Sequence, residues 1–141
     1  LSHIATIELV VKDLVALRAA CETLGLELCE NRTRYHWYGR AVGRPADATD
    51  GVCEHAIRVK DNGRAYEIGL VSKADGTGYE LKWDSYMGGF GLVEKVGENA
   101  GRLRQEYAIE IATRVAKRQG FRIISKTIRS DGSVALVTQK G

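Results

Sequence analysis

Residues 52–83 read VCEHAIRVKDNGRAYEIGLVSKADGTGYELKW, and the fold turns on how this stretch is read. Val52 to Lys60 carries apolar and β-branched residues and runs into Asp61-Asn62-Gly63, where Asn-Gly is a strong signal for a tight hairpin. Ala65 to Val71 returns with Tyr66, Ile68 and Leu70 on one face. Ala74 to Gly78 turns the chain again, and Tyr79, Leu81 and Trp83 alternate on a third strand. The pattern predicts a meander of three antiparallel strands.

Upstream, His3 to Val10 reads as a strand, and Asp13 is placed to cap a helix in which Leu14, Leu17, Cys21 and Leu24 recur at helical spacing. Gly25 ends that helix and Leu26 to Glu30 forms a short strand. Downstream, a second helix starts near Glu94 or Glu98 and runs to Gln119, with Ala100, Leu103, Tyr107, Ile111 and Val115 on one stripe. Glu110 and Arg114 stand at the i,i+4 spacing of an ion pair. A last hairpin, Phe121 to Arg129 and Ser133 to Gln139, turns at Ser130-Asp131-Gly132. The predicted class is α+β: a mainly antiparallel sheet of about six or seven strands, with two helices packed on one face.

Composition fits one globular domain over residues 1–141, with an irregular exposed loop around 39–51 that holds the sole proline, Pro45. No apolar run approaches the roughly 18 residues that span a bilayer. Leu1 to Val11 alternates and lacks the layout of a signal peptide, so a cytoplasmic location is expected. A net charge of +3, with most cations interleaved among acids, excludes the dense positive stripe of a dedicated nucleic-acid binder. Cys21, Cys29 and Cys53 have no paired spacing, which predicts free thiols rather than a disulfide framework.

Two segments stand out as candidate surfaces. Trp83-Asp84-Ser85-Tyr86-Met87-Gly88-Gly89-Phe90-Gly91 combines large rings with glycines that must bend the chain or admit a close neighbour. Arg32, Arg34, Tyr35, Trp37, Tyr38, Arg40 and Arg44 interleave aromatics with cations. Such residues cover a sheet, anchor a protein partner, or stack bases and contact phosphates. The partner-binding set predicted here is Arg34, Trp37, Tyr38, Arg40, Arg44, Trp83, Tyr86 and Phe90.

Signals for catalysis are weaker. Cys29, His36, Cys53 and His55 are soft and imidazole ligands without the paired spacing of ordinary zinc sites. Cys53 and His55, two apart on an expected strand, are predicted to share a face, a poor arrangement for nucleophile and base. Gly88-Gly89-Phe90-Gly91 lacks both the dinucleotide fingerprint and the P-loop lysine. No metal, cofactor or catalytic residue is predicted.

Several blocks together resemble a known family. They are His3-Ile4, Cys53 to Val59, Tyr66 to Val71, Tyr79 to Ser85 and Gly97 to Ala108. As a set they resemble the family called hypothetical chloroplast open reading frame thirty-five, a domain of unknown function in cyanobacteria, plastids, other bacteria and phages. The resemblance implies no catalytic residues. Through gene neighbourhood it implies AAA-type ATPases or small partner proteins as partners, and the plastid stroma as location in a plastid-bearing host. The expectation is a small non-enzymatic binding or adaptor module of a larger protein assembly. The alternatives are nucleic-acid binding through 32–44 and, less favoured, a metal- or thiol-dependent enzyme.

Overall fold

The computed structural model describes residues 4–41, 50–131 and 133–141. His3 of the first expected strand, Gly132 of the last turn and most of the loop expected over 39–51 lie outside them. Seven strands and four α-helices are described: β1 Ala5–Val11, α1 Leu14–Thr23, β2 Leu26–Glu30, α2 Tyr38–Ala41, β3 His55–Val59, β4 Ile68–Ser72, β5 Tyr79–Trp83, α3 Leu92–Val96, α4 Gly101–Arg118, β6 Phe121–Ile128 and β7 Val134–Lys140. The class is α+β, as the pattern predicts. The strands are divided, however, into a five-stranded antiparallel sheet, β1-β5-β4-β3-β2, and a separate β6-β7 ribbon. The segment expected to be irregular from residue 39 begins with the short turn of α2.

Consecutive strands β1 and β2 form opposite edges of the sheet, so α1 carries the chain across it. Asp13 caps that helix, its Oδ1 accepting from the Ala16 N–H at 3.0 Å, and Gly25 closes it at φ +75°. The meander forms as read, except at its first turn. Pairing between β3 and β4 ends at Ile57↔Ile68, so residues 60–67 make a wide excursion rather than a two-residue hairpin. Asn62 and Gly63 do not take the positive φ that a tight Asn-Gly turn requires. Asn62 instead folds its carboxamide oxygen onto the Arg64 N–H at 3.1 Å.

Cross-strand register assigns the two faces of the sheet. Ile7, Leu81 and Leu70 pair in one row, and Ile68, Ile57 and Leu28 in the next. This face meets Ala16, Leu17, Ala20 and Cys21 of α1, Leu92 and Val96 of α3, and Leu103 and Tyr107 of α4 in one core. The Tyr107 hydroxyl accepts from the Lys12 and Asp13 N–H groups, tying α4 to the start of α1. The helix expected from residue 94 or 98 starts at Gly101; residues 94–96 belong to the separate α3, which ends at Gly97, φ +86°.

The intervening residues Gly69, Ala56 and Cys29 face the other way. There Tyr35, Trp37, Cys53 and Ala56 form a second, smaller cluster. Glycine is what allows it. A Cβ at Gly69 would lie 2.3 Å from the Tyr35 ring, and one at Gly39 would lie 2.5 Å from the Trp37 ring. The 32–38 segment therefore lies across the reverse face as a cover. No helix among the described residues is long and apolar enough to cross a membrane.

Candidate functional site

The two segments singled out in the sequence meet, and a buried carboxylate joins them. Asp84, fully buried at the end of β5, accepts from the Tyr38 N–H through Oδ2 and from the Tyr86 N–H through Oδ1, each at 2.9 Å. Two backbone donors aimed at one carboxylate are charge-assisted bonds, stronger than neutral ones. The tie brings the Tyr38 and Tyr86 rings edge to face, their centroids 5.1 Å apart.

A second tie joins the 60–67 excursion to the glycine loop. The Tyr66 N–H donates to the Gly89 carbonyl at 2.8 Å, and Asn62 Nδ2 donates to the Phe90 carbonyl at 3.0 Å. Tyr66 then packs edge to face on Phe90 at 5.1 Å and on His36 at 5.3 Å. His36 itself is held from below. Its N–H donates to Glu67 Oε1 at 2.8 Å, and the same oxygen receives Arg32 Nη2 at 2.8 Å. The result is an open, mostly apolar cleft of about 550 Å³, lined by His36, Tyr38, Gly63, Arg64, Tyr66, Tyr86 and Phe90.

The loop that presents these rings is strained. Met87, Gly88, Gly89 and Phe90 have φ of 52°, 65°, 61° and 54°, a left-handed turn that costs a non-glycine residue roughly 1–2 kcal/mol. Such a turn persists only where its surroundings over-determine it. Gly89 is buried, and a Cβ there would come within 2.9 Å of Leu92 Cβ. A Cβ at Gly91, φ +114°, would sit 2.6 Å from Asn62 Nδ2 and displace the amide that holds Phe90. The outcome is outward rings: Tyr86 is 45% and Phe90 46% exposed.

Placement of the predicted set is uneven. Tyr38, Tyr86 and Phe90 come together at the cleft. Trp37 and Trp83 are buried, at 6% and 7% exposure, in the reverse-face cluster and the main core respectively. Both tryptophans thus fill interior volume and are not surface anchors. Arg34 sits at a β-bridge to Val52 and donates to the Asp50 carbonyl. Arg40 lies in α2, and Arg44 lies outside the described residues. Tyr66, His36, Arg64 and Asp84 were missed. A spacing signal existed for Tyr66 alone, two residues before Ile68 on the core-facing row.

The thiols and imidazoles do not converge on a reactive centre. Burial pushes the Cys21 thiol up to about 12 and that of Cys53 to about 11, and it raises Cys29 as well. Cys53 packs with Ala56 on the reverse face, whereas His55 pairs with Leu70 on the helix-facing side. The expected shared face is lost because β3 begins only at His55 and the chain before it crosses over. His55 Nδ1 accepts from the Asn31 N–H at 3.0 Å, and Nε2 lies 3.3 Å from the Tyr79 hydroxyl. Among the described residues, no three His, Cys, Asp or Glu side chains gather closely enough to hold a metal ion.

A family model described as a protein of unknown function (DUF1257) matches residues 22–137. No curated protein and no solved structure matches the chain.

Proposed function

The chain belongs to the DUF1257 family of proteins of unknown function, and from that premise we propose that it is a non-enzymatic binding module docking a protein partner at the aromatic cleft. The observation that carries this reading is the convergence of two separate segments on one set of outward rings, held by the buried Asp84 and the strained 87–90 turn. Aromatic side chains offer a large contact area at low entropic cost, and interfaces concentrate their binding energy in such residues. A pre-tied frame lowers the ordering cost further. Arg64 at the rim adds a cation that steers an acidic group on the partner.

An adaptor role in a larger assembly, with an AAA-type ATPase or a small companion protein as the partner, is the form this reading takes from the family resemblance. A cytoplasmic or stromal location goes with it. Thiols held protonated by burial, and a His55 ring occupied by a backbone amide and a tyrosine, weigh against a thiol-enzyme reading.

The test is affinity purification from the native host, with and without nuclease, of the unaltered protein and of a Tyr86→Ala, Phe90→Ala double variant. Both side chains are about half exposed, so the variant is expected to fold, which its thermal midpoint checks. A protein partner that survives nuclease and is lost from the double variant supports the reading. Retention of every partner by the variant sinks it.

A further inference from the structure

Charge is distributed unequally along this chain. Residues 1–110 carry 14 Lys and Arg against 17 Asp and Glu, a net charge of −3; residues 111–141 carry 7 against 1, a net charge of +6. The two sum to the modest +3 of the whole chain and hide each other in it. Apart from Arg114, the cations of the second group are exposed: Lys117, Arg118, Arg122, Lys126, Arg129 and Lys140. Among the described residues, none of these six has a carboxylate within ion-pair distance. Lys117 and Arg118 in the last turn of α4 suit the helix dipole, but that effect reaches only the last turn and says nothing of the ribbon.

Register divides the ribbon into two unlike faces. Phe121, Ile123, Lys126 and Ile128 pair with Lys140, Thr138, Leu136 and Val134 on the face that holds most of its half-buried apolar side chains, and β6 is the strand packed most closely on α4. A bulge between Ile123 and Ser125 resets the alternation. The opposite face then presents Arg122, Ser125, Thr127 and Arg129 along β6 and its turn, with Val137 and Gln139 across from them, all exposed. From Arg122 to Arg129 this row extends roughly 20 Å at strand spacing. It is hydroxyl-bearing and cationic at both ends, with Val137 half exposed on it and none of the aromatic anchors that mark a protein hot spot. A two-stranded ribbon of this kind fits a nucleic-acid major groove about 12 Å wide, with Arg, Lys and hydroxyls meeting phosphates.

We infer that the outer face of the β6-β7 ribbon, with the basic end of α4, is a docking surface for duplex nucleic acid, bound chiefly through its phosphates. This surface is separate from the aromatic cleft. It also differs from the 32–44 segment, whose Tyr35 and Trp37 rings are buried.

Fluorescence anisotropy with a labelled 20-base-pair duplex of mixed sequence tests it, using the full chain. Binding is expected to weaken with salt, by roughly 40-fold from 50 to 200 mM if three phosphates are contacted. An Arg118→Gln, Arg122→Gln, Arg129→Gln triple variant should bind at least tenfold more weakly and with a shallower salt slope. The Tyr86→Ala, Phe90→Ala variant should bind as the parent does, so this inference and the cleft reading fail separately. The inference is overturned by absence of binding at 50 mM salt, or by an unchanged affinity and slope in the triple variant. Poly-glutamate competing as well as duplex per unit charge overturns it too, and assigns the surface to an acidic protein segment.

Discussion

The five-stranded body and the C-terminal ribbon are built on opposite principles. In the body, alternating strand residues close onto α1, α3 and the first half of α4, and Leu70, Leu81 and Leu103 are wholly removed from water. From Glu110 to the end of the chain, no described residue is buried. Ile124, Ile128 and Val137 stay about half exposed, although β6 and β7 pair over most of their length. A two-stranded ribbon is marginal in water without a packed face, so its order depends on what α4 supplies. Stability is concentrated in one region, while the other carries a one-sided charge.

The most direct way to break this comparison is to truncate an aliphatic side chain in each region. Leu70→Ala opens a cavity in the main core and is expected to cost about 2–5 kcal/mol. Val137→Ala on the ribbon should cost about 0.5 kcal/mol, mostly lost strand preference. Denaturant unfolding of both variants measures the contrast. A ribbon substitution as damaging as the core one would mean that α4 and the ribbon form a core of their own. Amide exchange provides a second reading: ribbon amides should open well below the global unfolding free energy, and β4 amides only with it.

The next effect sits at the cleft. Asp84→Ala leaves the Tyr38 and Tyr86 N–H groups without their acceptor and is expected to cost about 2–4 kcal/mol. Asp84→Asn keeps one carbonyl acceptor and should lose less. Besides the shift in unfolding midpoint, the Tyr38 and Tyr86 ring resonances should lose their mutual shielding in Asp84→Ala, because the tie that holds them edge to face is gone. A variant with its midpoint unchanged would show that the 87–91 loop is held by Asn62 and Tyr66 alone.

What could be read from the residues follows the same division. Strand periodicity and the Asp13 cap are local signals, and they placed α1 and the seven strands, β2 and β5 most closely. The two α4 neighbours Gly97 and Gly101 bracket a break that the apolar stripe alone passed over, since Ala100 and Leu103 keep their spacing across it. Exposure of the rings was not legible. Gly39 and Gly51 clear room for the Trp37 ring and Gly69 for that of Tyr35, and the Gly51 and Gly69 contacts join segments that are distant in the chain. Asp84 reads as a polar residue after a strand until Tyr38, 46 positions away, donates to it.

Alkaline titration sharpens the comparison, because all three cysteines lie in the body. A thiol whose folded value is raised binds a proton that the unfolded chain has already released. Stability is therefore constant below the ordinary thiol value near 9 and falls as pH rises from there toward the folded value. For Cys21 that window runs to about 12, and for Cys53 to about 11. Each thiol should remove about 1.4 kcal/mol per pH unit within it. Burial also raises the Tyr35 phenol, which adds to the fall above 10. Comparing unfolding free energies at pH 8 and 10 for the parent and Cys21→Ala tests this: the variant should lose less. An equal loss in both would show that the Cys21 thiol ionises freely in the folded chain.

The smallest effect is expected where the two regions join. Glu110 and Arg114 pair at 3.7 Å on α4, in the turn that follows the last buried residue, Ile109. An i,i+4 pair of this kind contributes about 0.3–0.5 kcal/mol, so Glu110→Ala should shift stability by no more than that, and less at high salt. Arg114 is the more informative partner. Its Nε is buried without a hydrogen-bond partner, which costs stability that the long aliphatic stem offsets by packing. Arg114→Met keeps the stem and removes the orphaned nitrogen, so it is expected to leave stability unchanged or raise it slightly. A loss above about 1 kcal/mol would instead make the guanidinium itself the hinge pin between helix and ribbon, for no i,i+4 pair alone accounts for that much.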